Sequence, residues 1–267
     1  VAHHAGIDLQ GKPVMIHDMA ITENHSLIFD MPVTFSLERA MGGQSAFDWE
    51  PDNGTRIGIL PRYGDGDSIR WFDVDTGYIF HVFNAWEEGD EIVLDACRSE
   101  HTSILGENDL GLDGELARMH RYRFNMRTGT VEEGRVDDTP MEFSRVNENY
   151  IGVKTRYGYA SRFHPDRGLL FNGFVKTDRE SDRIDVVELS DTQFNQENVF
   201  APRVNARAED DGYILGFVRD EATDQSECWV IDAQRFSDGP VAKVHMPKRV
   251  PYGFHAHWVP GQDGRRR

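Results

Sequence analysis

The sequence predicts an all-β chain arranged as a β-propeller, and three observations carry that prediction. Short apolar or alternating runs recur from end to end, 3.6-residue periodicity is nearly absent, and a weak repeat of hairpins spans the chain. The runs are VMIHDMAIT, SLIFDMPVTF, RIGILPR, GYIFHVFNAW, EIVLDAC, RMHRYRF, YIGVKT, GLLFNGFV, IDVVEL, GYILGFV, CWVIDA and PVAKVHM. They are rich in Val, Ile, Phe and Tyr, which suit a pleated, half-buried surface, and DG, GD, EN or NG signals close them. FSLERAMGGQSA, at 35–46, offers a helical turn or two and little else does.

The repeat suggests the architecture. Ile16-His17 opens a run that turns at Thr22-Glu23-Asn24 and returns as SLIFD, ending at Asp30. Phe80-His81 opens a similar run, turns at Glu87-Glu88-Gly89-Asp90 and returns as EIVLD, ending at Asp95. The two units therefore match within one residue. A third, without the histidine, runs from Val204-Asn205-Ala206 through Glu209-Asp210-Asp211-Gly212 into YILGFV. Repeated hairpins through a long chain suit propeller blades, each a small antiparallel sheet; a sandwich or barrel is the alternative. Roughly 14 to 17 strands at four per blade make about four to five blades.

Composition narrows the function. Lys plus Arg number 29 against 46 Asp plus Glu, a formal charge of −17. Nucleic-acid affinity rests on cations that neutralise phosphates, so a nucleic-acid partner is not expected. Electrostatic docking on anionic lipid is disfavoured for the same reason. No run approaches the roughly 18 apolar residues of a spanning helix, and none resembles a signal peptide. Cys97 and Cys228 are the two cysteines, too few for a disulfide framework and outside any CxxC pattern, which points to a reducing, cytoplasmic setting.

Eleven histidines are present. His3, His4, His25 and His101 read as solvated, and His120 and His245 as surface residues on a sheet. His17, His81 and His255 differ, because each stands in an apolar or aromatic run: VMIHDMA, YIFHVFN and YGFHAHW. Three unrelated core histidines bonded to carbonyls are one reading. The other follows from the propeller: inner-strand positions of different blades face one axis, where neutral imidazoles would make a site for Fe, Zn, Cu or Ni. Such a site needs carboxylates to take the second ring N–H, and Glu142 in PMEFSRVN and Glu197 in NQENVFAPR suit that role. Their plainer reading is an exposed edge acid. The other acids lie mainly in turns, where they serve solubility. No GxSxG elbow, P-loop or GxGxxG follows a strand.

With those residues in view, the chain resembles the carotenoid cleavage oxygenase family, which includes lignostilbene dioxygenases and the retinal-pigment-epithelium isomerase. The resemblance rests on MIHDMAITENHSLIFD, FHVFNAWEEGDEIVLDACR, PMEFSRVN followed by YIGVKTRYGYA, ENVFAPR with EDDGYILGFV, and RVPYGFHAHWVP, in that order. It implies a seven-bladed propeller holding one non-haem Fe(II) on its axis through four histidines. His17, His81 and His255 match three of them, and Glu142 and Glu197 match two of the glutamates behind them. The first ligand of the family lies well upstream of the motif at His17. The expectation is therefore a single β-propeller domain over residues 1–267, shortened at its N-terminal side to about four to five blades. Ala256 stands where the family has Gly, a change expected to crowd the backbone.

The resemblance further implies oxidative scission of a conjugated C=C bond by O2, in an apolar tunnel. A carotenoid or apocarotenoid is the expected substrate, with a stilbene as the alternative. A peripheral membrane contact for drawing out such a substrate fits the same picture. Phe80, Phe83, Phe254 and Trp258 are candidates for tunnel or core, with core favoured. A metal-free propeller scaffold is a second class of reading, opposed by the joint presence of the three histidines and two glutamates. A propeller hydrolase is a third, opposed because its metal would call for oxygen ligands.

Overall fold

The computed structural model describes residues 3–9, 11, 13–102 and 116–261, and among them the chain is built almost entirely of antiparallel strands. The first sheet comprises β1 (Ala20–Ile21), β2 (His25–Asp30), β5 (Thr55–Pro61) and β6 (Arg70–Val74), hydrogen-bonded in that order. Between β2 and β5 a small hairpin of β3 (Val33–Phe35) and β4 (Phe47–Trp49) carries α1 (Leu37–Met41), the helical turn expected within 35–46. Ser36 caps that helix by accepting from the Arg39 N–H.

The second blade orders β7 (Tyr78–Glu88), β8 (Glu91–Ser99), β9 (Arg118–Asn125) and the first half of β10 (Val131–Arg145). At 15 residues β10 is longer than a usual strand. It changes partner midway, from β9 at Val131–Arg135 to β11 (Tyr157–Phe163) at Met141–Arg145, with irregular register around Pro140. Its far end thus opens the third blade, completed by β12 (Phe171–Asp178) and β13 (Arg183–Glu188). The fourth blade begins on two short collinear strands, β14 (Gln193–Asn195) and β15 (Val199–Pro202). It continues through β16 (Gly212–Asp220), β17 (Gln225–Asp232) and β18 (Pro240–His245). Four blades are thus present among the described residues, at the low end of the expected number, with 18 strands against the 14 to 17 read from sequence.

The apolar residues sort themselves between blades. Leu27, Phe29, Ile57, Ile59 and Phe72 of the first blade pack against Ile79, Ile92, Leu94, Tyr122 and Phe124 of the second. Phe83, Cys97 and Met119 meet Met141, Phe143, Ala160 and Phe171 across the next junction. Tyr159, Phe174 and Val187 meet Ile214, Trp229 and Ile231 across the last. Each sheet face is half of such an interface, which is why the strands read as alternating or continuous apolar runs.

The repeat has a physical counterpart. Asp30 on the second strand of the first blade lies directly opposite Arg56 on the third, and Asp95 opposite Arg121 in the second blade. Both pairs are bonded, at 2.8 Å for Asp30 and at 2.7 and 2.9 Å for Asp95. Three local readings need correction. Of VMIHDMAIT, Ala20–Ile21 forms a strand and Val14 a single bridge to Thr34, because the intervening residues dock through side chains instead of a ladder. YIGVKT is no strand: a 3-10 turn at Glu148–Tyr150 leads into it, and Asn84 Nδ2 donates to the Tyr150 and Val153 carbonyls. In the third unit Val204 lies in a turn, and the arm that pairs with β16 is Val199–Pro202.

Candidate metal centre

The inner edges of the four blades meet at one place. His17 precedes β1, His81 lies near the start of β7, Glu142 sits at the far end of β10, and Glu197 falls between β14 and β15. His255 arrives from the segment after the fourth blade. Among the described residues His17, His81 and His255 form a group whose potential ligand atoms all lie within 4.8 Å of one another. Their ring centroids are 4.9, 5.2 and 5.7 Å apart.

Each imidazole has its Nδ1 engaged on the side away from the cluster. His17 Nδ1 donates to the Phe80 carbonyl at 3.0 Å. His81 Nδ1 donates to Glu142 Oε2. His255 Nδ1 faces Glu197 Oε2 at 3.3 Å. With Nδ1–H fixed in this way the lone pair is left on Nε2. His81 Nε2 is buried and has no hydrogen-bond partner. A buried polar atom of that kind is costly unless something binds it, and a neutral nitrogen among two others is a donor set suited to a transition metal. The residues present therefore fit such an ion.

Electrostatics separate the rings. Partial desolvation of the ring, and then the proximity of His81, hold the His17 imidazole below its ordinary pKa, which favours the neutral form a ligand needs. Burial pulls His81 the same way, but the Glu142 carboxylate outweighs it and the net shift is upward.

Two of the histidines are not on strands, contrary to the sequence reading. His17 and His255 lie in irregular segments and are exposed, and His81 alone belongs to a strand. The reason for His17 is visible in β7, whose register with β8 shifts between Ile79 and Val82 and again between Val82 and Asn84. The irregular stretch presents the Phe80 carbonyl to His17, and the Val82 N–H to Asp18 Oδ2 at 3.0 Å. Glu142 and Glu197 are both buried, Glu197 to 1% exposure, so neither is an exposed edge acid. The backbone at Ala256 does not call for glycine: its φ is not in the left-handed region, and its N–H donates to Glu197 Oε2.

Other residues depart from expectation. His25 is partly buried against Glu87 at 3.0 Å, and His120 is buried against Glu133 at 3.1 Å, each held by an acid supplied from another strand. His245 is exposed, as read. Phe83 is core and Phe80 packs its ring against His17, whereas Phe254 is 75% exposed and Trp258 partly so, because the segment after β18 lies on no sheet. Asp95, read only as the end of the EIVLD run, is fully buried between Arg121 and Arg179. Asp18 and Arg145 went unnoticed in the sequence, and Glu87, read as a turn residue, lies in β7. Asp18 and Arg145 sit inside motifs already marked, but nothing local names their partners.

Propeller blades with imidazoles gathered where their inner edges meet define an axial histidine centre. The sequence matches the family model described as retinal pigment epithelial membrane protein over residues 1–260, and the chain belongs to this family, that of the carotenoid cleavage oxygenases. It is 39% identical to carotenoid 9,10(9',10')-cleavage dioxygenase 1 of Pisum sativum, over 92% of this chain and 49% of that protein. The chain spans about half the length of this and two further curated carotenoid cleavage dioxygenases that it matches. Among solved structures it superposes on the lignostilbene dioxygenase of Pseudomonas brassicacearum with a TM-score of 0.84 and 28% identity, covering 93% of this chain and 55% of that one. Cobalt-substituted Synechocystis apocarotenoid oxygenase gives 0.85 at 25% identity, covering 93% and 53%. No helix among the described residues is long and apolar enough to cross a membrane.

Proposed function

We propose that this chain serves a non-haem Fe(II)-dependent dioxygenase that cleaves a conjugated C=C bond of a carotenoid or apocarotenoid with O2. The observation that carries the reading is the buried, unpartnered Nε2 of His81 facing His17 and His255. In this reading His17, His81 and His255 hold the iron through Nε2, and Glu142 and Glu197 orient His81 and His255 from behind. When bound, Fe(II) supplies the redox chemistry by which O2 converts one C=C bond into two carbonyl fragments.

The chain's own residues contribute the rest. The Nδ1 bonds fix the imidazoles as neutral donors, so the metal keeps its full charge. The Phe80 ring lies 5.2 Å from that of His17, and Ile16, Met19 and Phe254, neighbours of the ligating histidines, are exposed. Apolar residues in those positions suit a substrate without charge. The proposal extends to one propeller domain over residues 1–267, a cytoplasmic location and a peripheral membrane contact through which apolar substrate is drawn. A stilbene is the second substrate reading, favoured by the fit to the Pseudomonas brassicacearum enzyme.

The test is iron content together with O2-dependent cleavage of a carotenoid panel and a stilbene by this protein. Near-stoichiometric iron and aldehyde products that vanish with His81→Ala support the dioxygenase and name its substrate class. A folded protein that takes up no iron overturns the site and leaves the metal-free scaffold.

A further inference from the structure

His255 poses a placement problem. Residues 246–261 contain no strand or helix, and the His255 side chain is 53% exposed. A ring on such a segment has no ladder to fix it, yet it stands with its Nδ1 against Glu197 and its ring 5.2 Å from His81.

The far end of β10 supplies the missing restraint. Arg145 lies three residues beyond Glu142, across an irregularity in register, and Phe143 between them has a φ of 58°. Left-handed backbone is rare for a bulky side chain and persists where surrounding contacts over-determine it. Arg145 Nε and Nη2 stand 2.7 and 2.6 Å from Glu197 Oε1. Nη2 also donates to the Ala256 carbonyl at 3.2 Å. The other Glu197 oxygen accepts the Ala256 N–H and faces His255 Nδ1. Both main-chain groups of Ala256 therefore end on the Arg145–Glu197 pair.

We infer that Arg145 is a positioning residue for the centre, holding His255 in place through Glu197 and Ala256 without touching a metal. The inference rests on the reading of the three histidines as a metal site. Its physical basis is twofold. Glu197 is almost wholly buried and needs a cation, and Arg145 supplies one at 2.6 to 2.7 Å. The planar guanidinium then satisfies a carboxylate oxygen and a carbonyl from one rigid fork, which a lysine cannot do. One bulged strand end thus serves two ligands, His81 through Glu142 and His255 through Arg145.

The experiment is a cobalt(II) titration of the 267-residue chain read by its visible d–d absorption. Melting curves and hydrogen exchange of the metal-free protein run alongside. Arg145→Met is expected to weaken cobalt binding by about tenfold or more, and Arg145→Lys by less, with an altered band shape in both. The Arg145→Lys effect disappears in a His255→Ala background and persists in a His81→Ala background, since only the former removes the ring through which Arg145 acts. In metal-free protein, exchange across 250–261 rises for both variants, whereas β7 and β10 are unchanged. Wild-type affinity and band shape in Arg145→Lys, or an effect that survives His255→Ala, overturns the inference. Wild-type protein that takes up no cobalt while exchange still rises sinks the metal reading and the metal role with it, leaving Arg145 as an anchor of the segment alone. Unchanged exchange in Arg145→Met removes even that. If Arg145→Met does not fold, Arg145→Lys decides.

Discussion

His81 donates a hydrogen bond from Nδ1–H to Glu142, and the Nε2 of the same ring is buried without a partner. The two facts belong together. A carboxylate behind an imidazole fixes which nitrogen carries the proton and raises the basicity of the other. Glu142 itself is held because Phe143 turns into left-handed backbone and returns its N–H to the same carboxylate oxygen.

Glu142→Gln separates charge from geometry at this point. The amide oxygen can still accept Nδ1–H, but the negative charge behind the ring is gone. Metal affinity is expected to fall about tenfold, and by up to about a hundredfold for Glu142→Ala, with little change in metal-free secondary structure. Isothermal titration with cobalt(II) or iron(II) measures this. Equal affinity in wild type and Glu142→Gln would show that the carboxylate contributes only shape.

A different acid governs stability. Asp95 has 0% exposure and joins Arg121, on the neighbouring strand, to Arg179, in the turn between β12 and β13 of the third blade. Arg179 is itself almost wholly buried. Removing the charge leaves that cation unpaired in the interior, a loss of about 3–5 kcal/mol. Asp95→Asn should therefore lower Tm by on the order of 10 °C. The equivalent Asp30→Asn breaks a more solvated pair with Arg56 and should cost about 1 kcal/mol or less. Melting curves that rank the two variants the other way would refute the assignment.

Acid should reveal the latch between the first two blades. Thr22 Oγ1, the Asn24 N–H, Asn24 Nδ2 and His25 Nδ1 all converge on Glu87, at 2.5 to 3.0 Å. Burial pushes the Glu87 carboxyl up, but these donors more than reverse it and bring it down to about 2, from an ordinary 4.5. A depressed carboxylate stabilises the fold fully above about pH 4.5, and that contribution fades as pH falls toward 2. With chelator present, Glu87→Gln should melt about 2–4 °C below wild type at pH 7, on the order of 1 kcal/mol after screening. The gap should close between pH 4.5 and 2. A gap independent of pH would mean that the loss is steric.

How much of this was readable beforehand depends on range. The strands, their turns and the short helix follow from alternation and from local signals, which act within a few residues. Membership in the family was legible for the same reason, because each motif is a local string. Whether His17 and His255 lie on strands was not legible, since each takes its place from a partner about sixty residues away: the Phe80 carbonyl for one, Glu197 for the other. Asp95 looked like any acid closing a strand because Arg121 and Arg179 are 26 and 84 residues distant. Pairing across blades is a property of the fold, and periodicity along one strand carries no trace of it.

Ala256 is the last case, where the family-derived expectation and the structure part. The expectation was that a methyl group in a glycine position would crowd the backbone. The structure shows Ala256 outside the left-handed region, with its N–H and C=O both bonded, so the backbone there does not require glycine. Ala256→Gly then relieves no left-handed backbone and adds conformations to the unfolded chain, a loss of about 0.4–1 kcal/mol. Because residue 256 is where the Arg145–Glu197 pair grips the main chain, the same freedom loosens His255. Cobalt affinity should fall by a factor of about two to five, the equivalent of that energy, and Tm by about 1–4 °C. A rise in either quantity would mean that the methyl group is strained after all, and that the clamp on Ala256 holds the segment against its own preference.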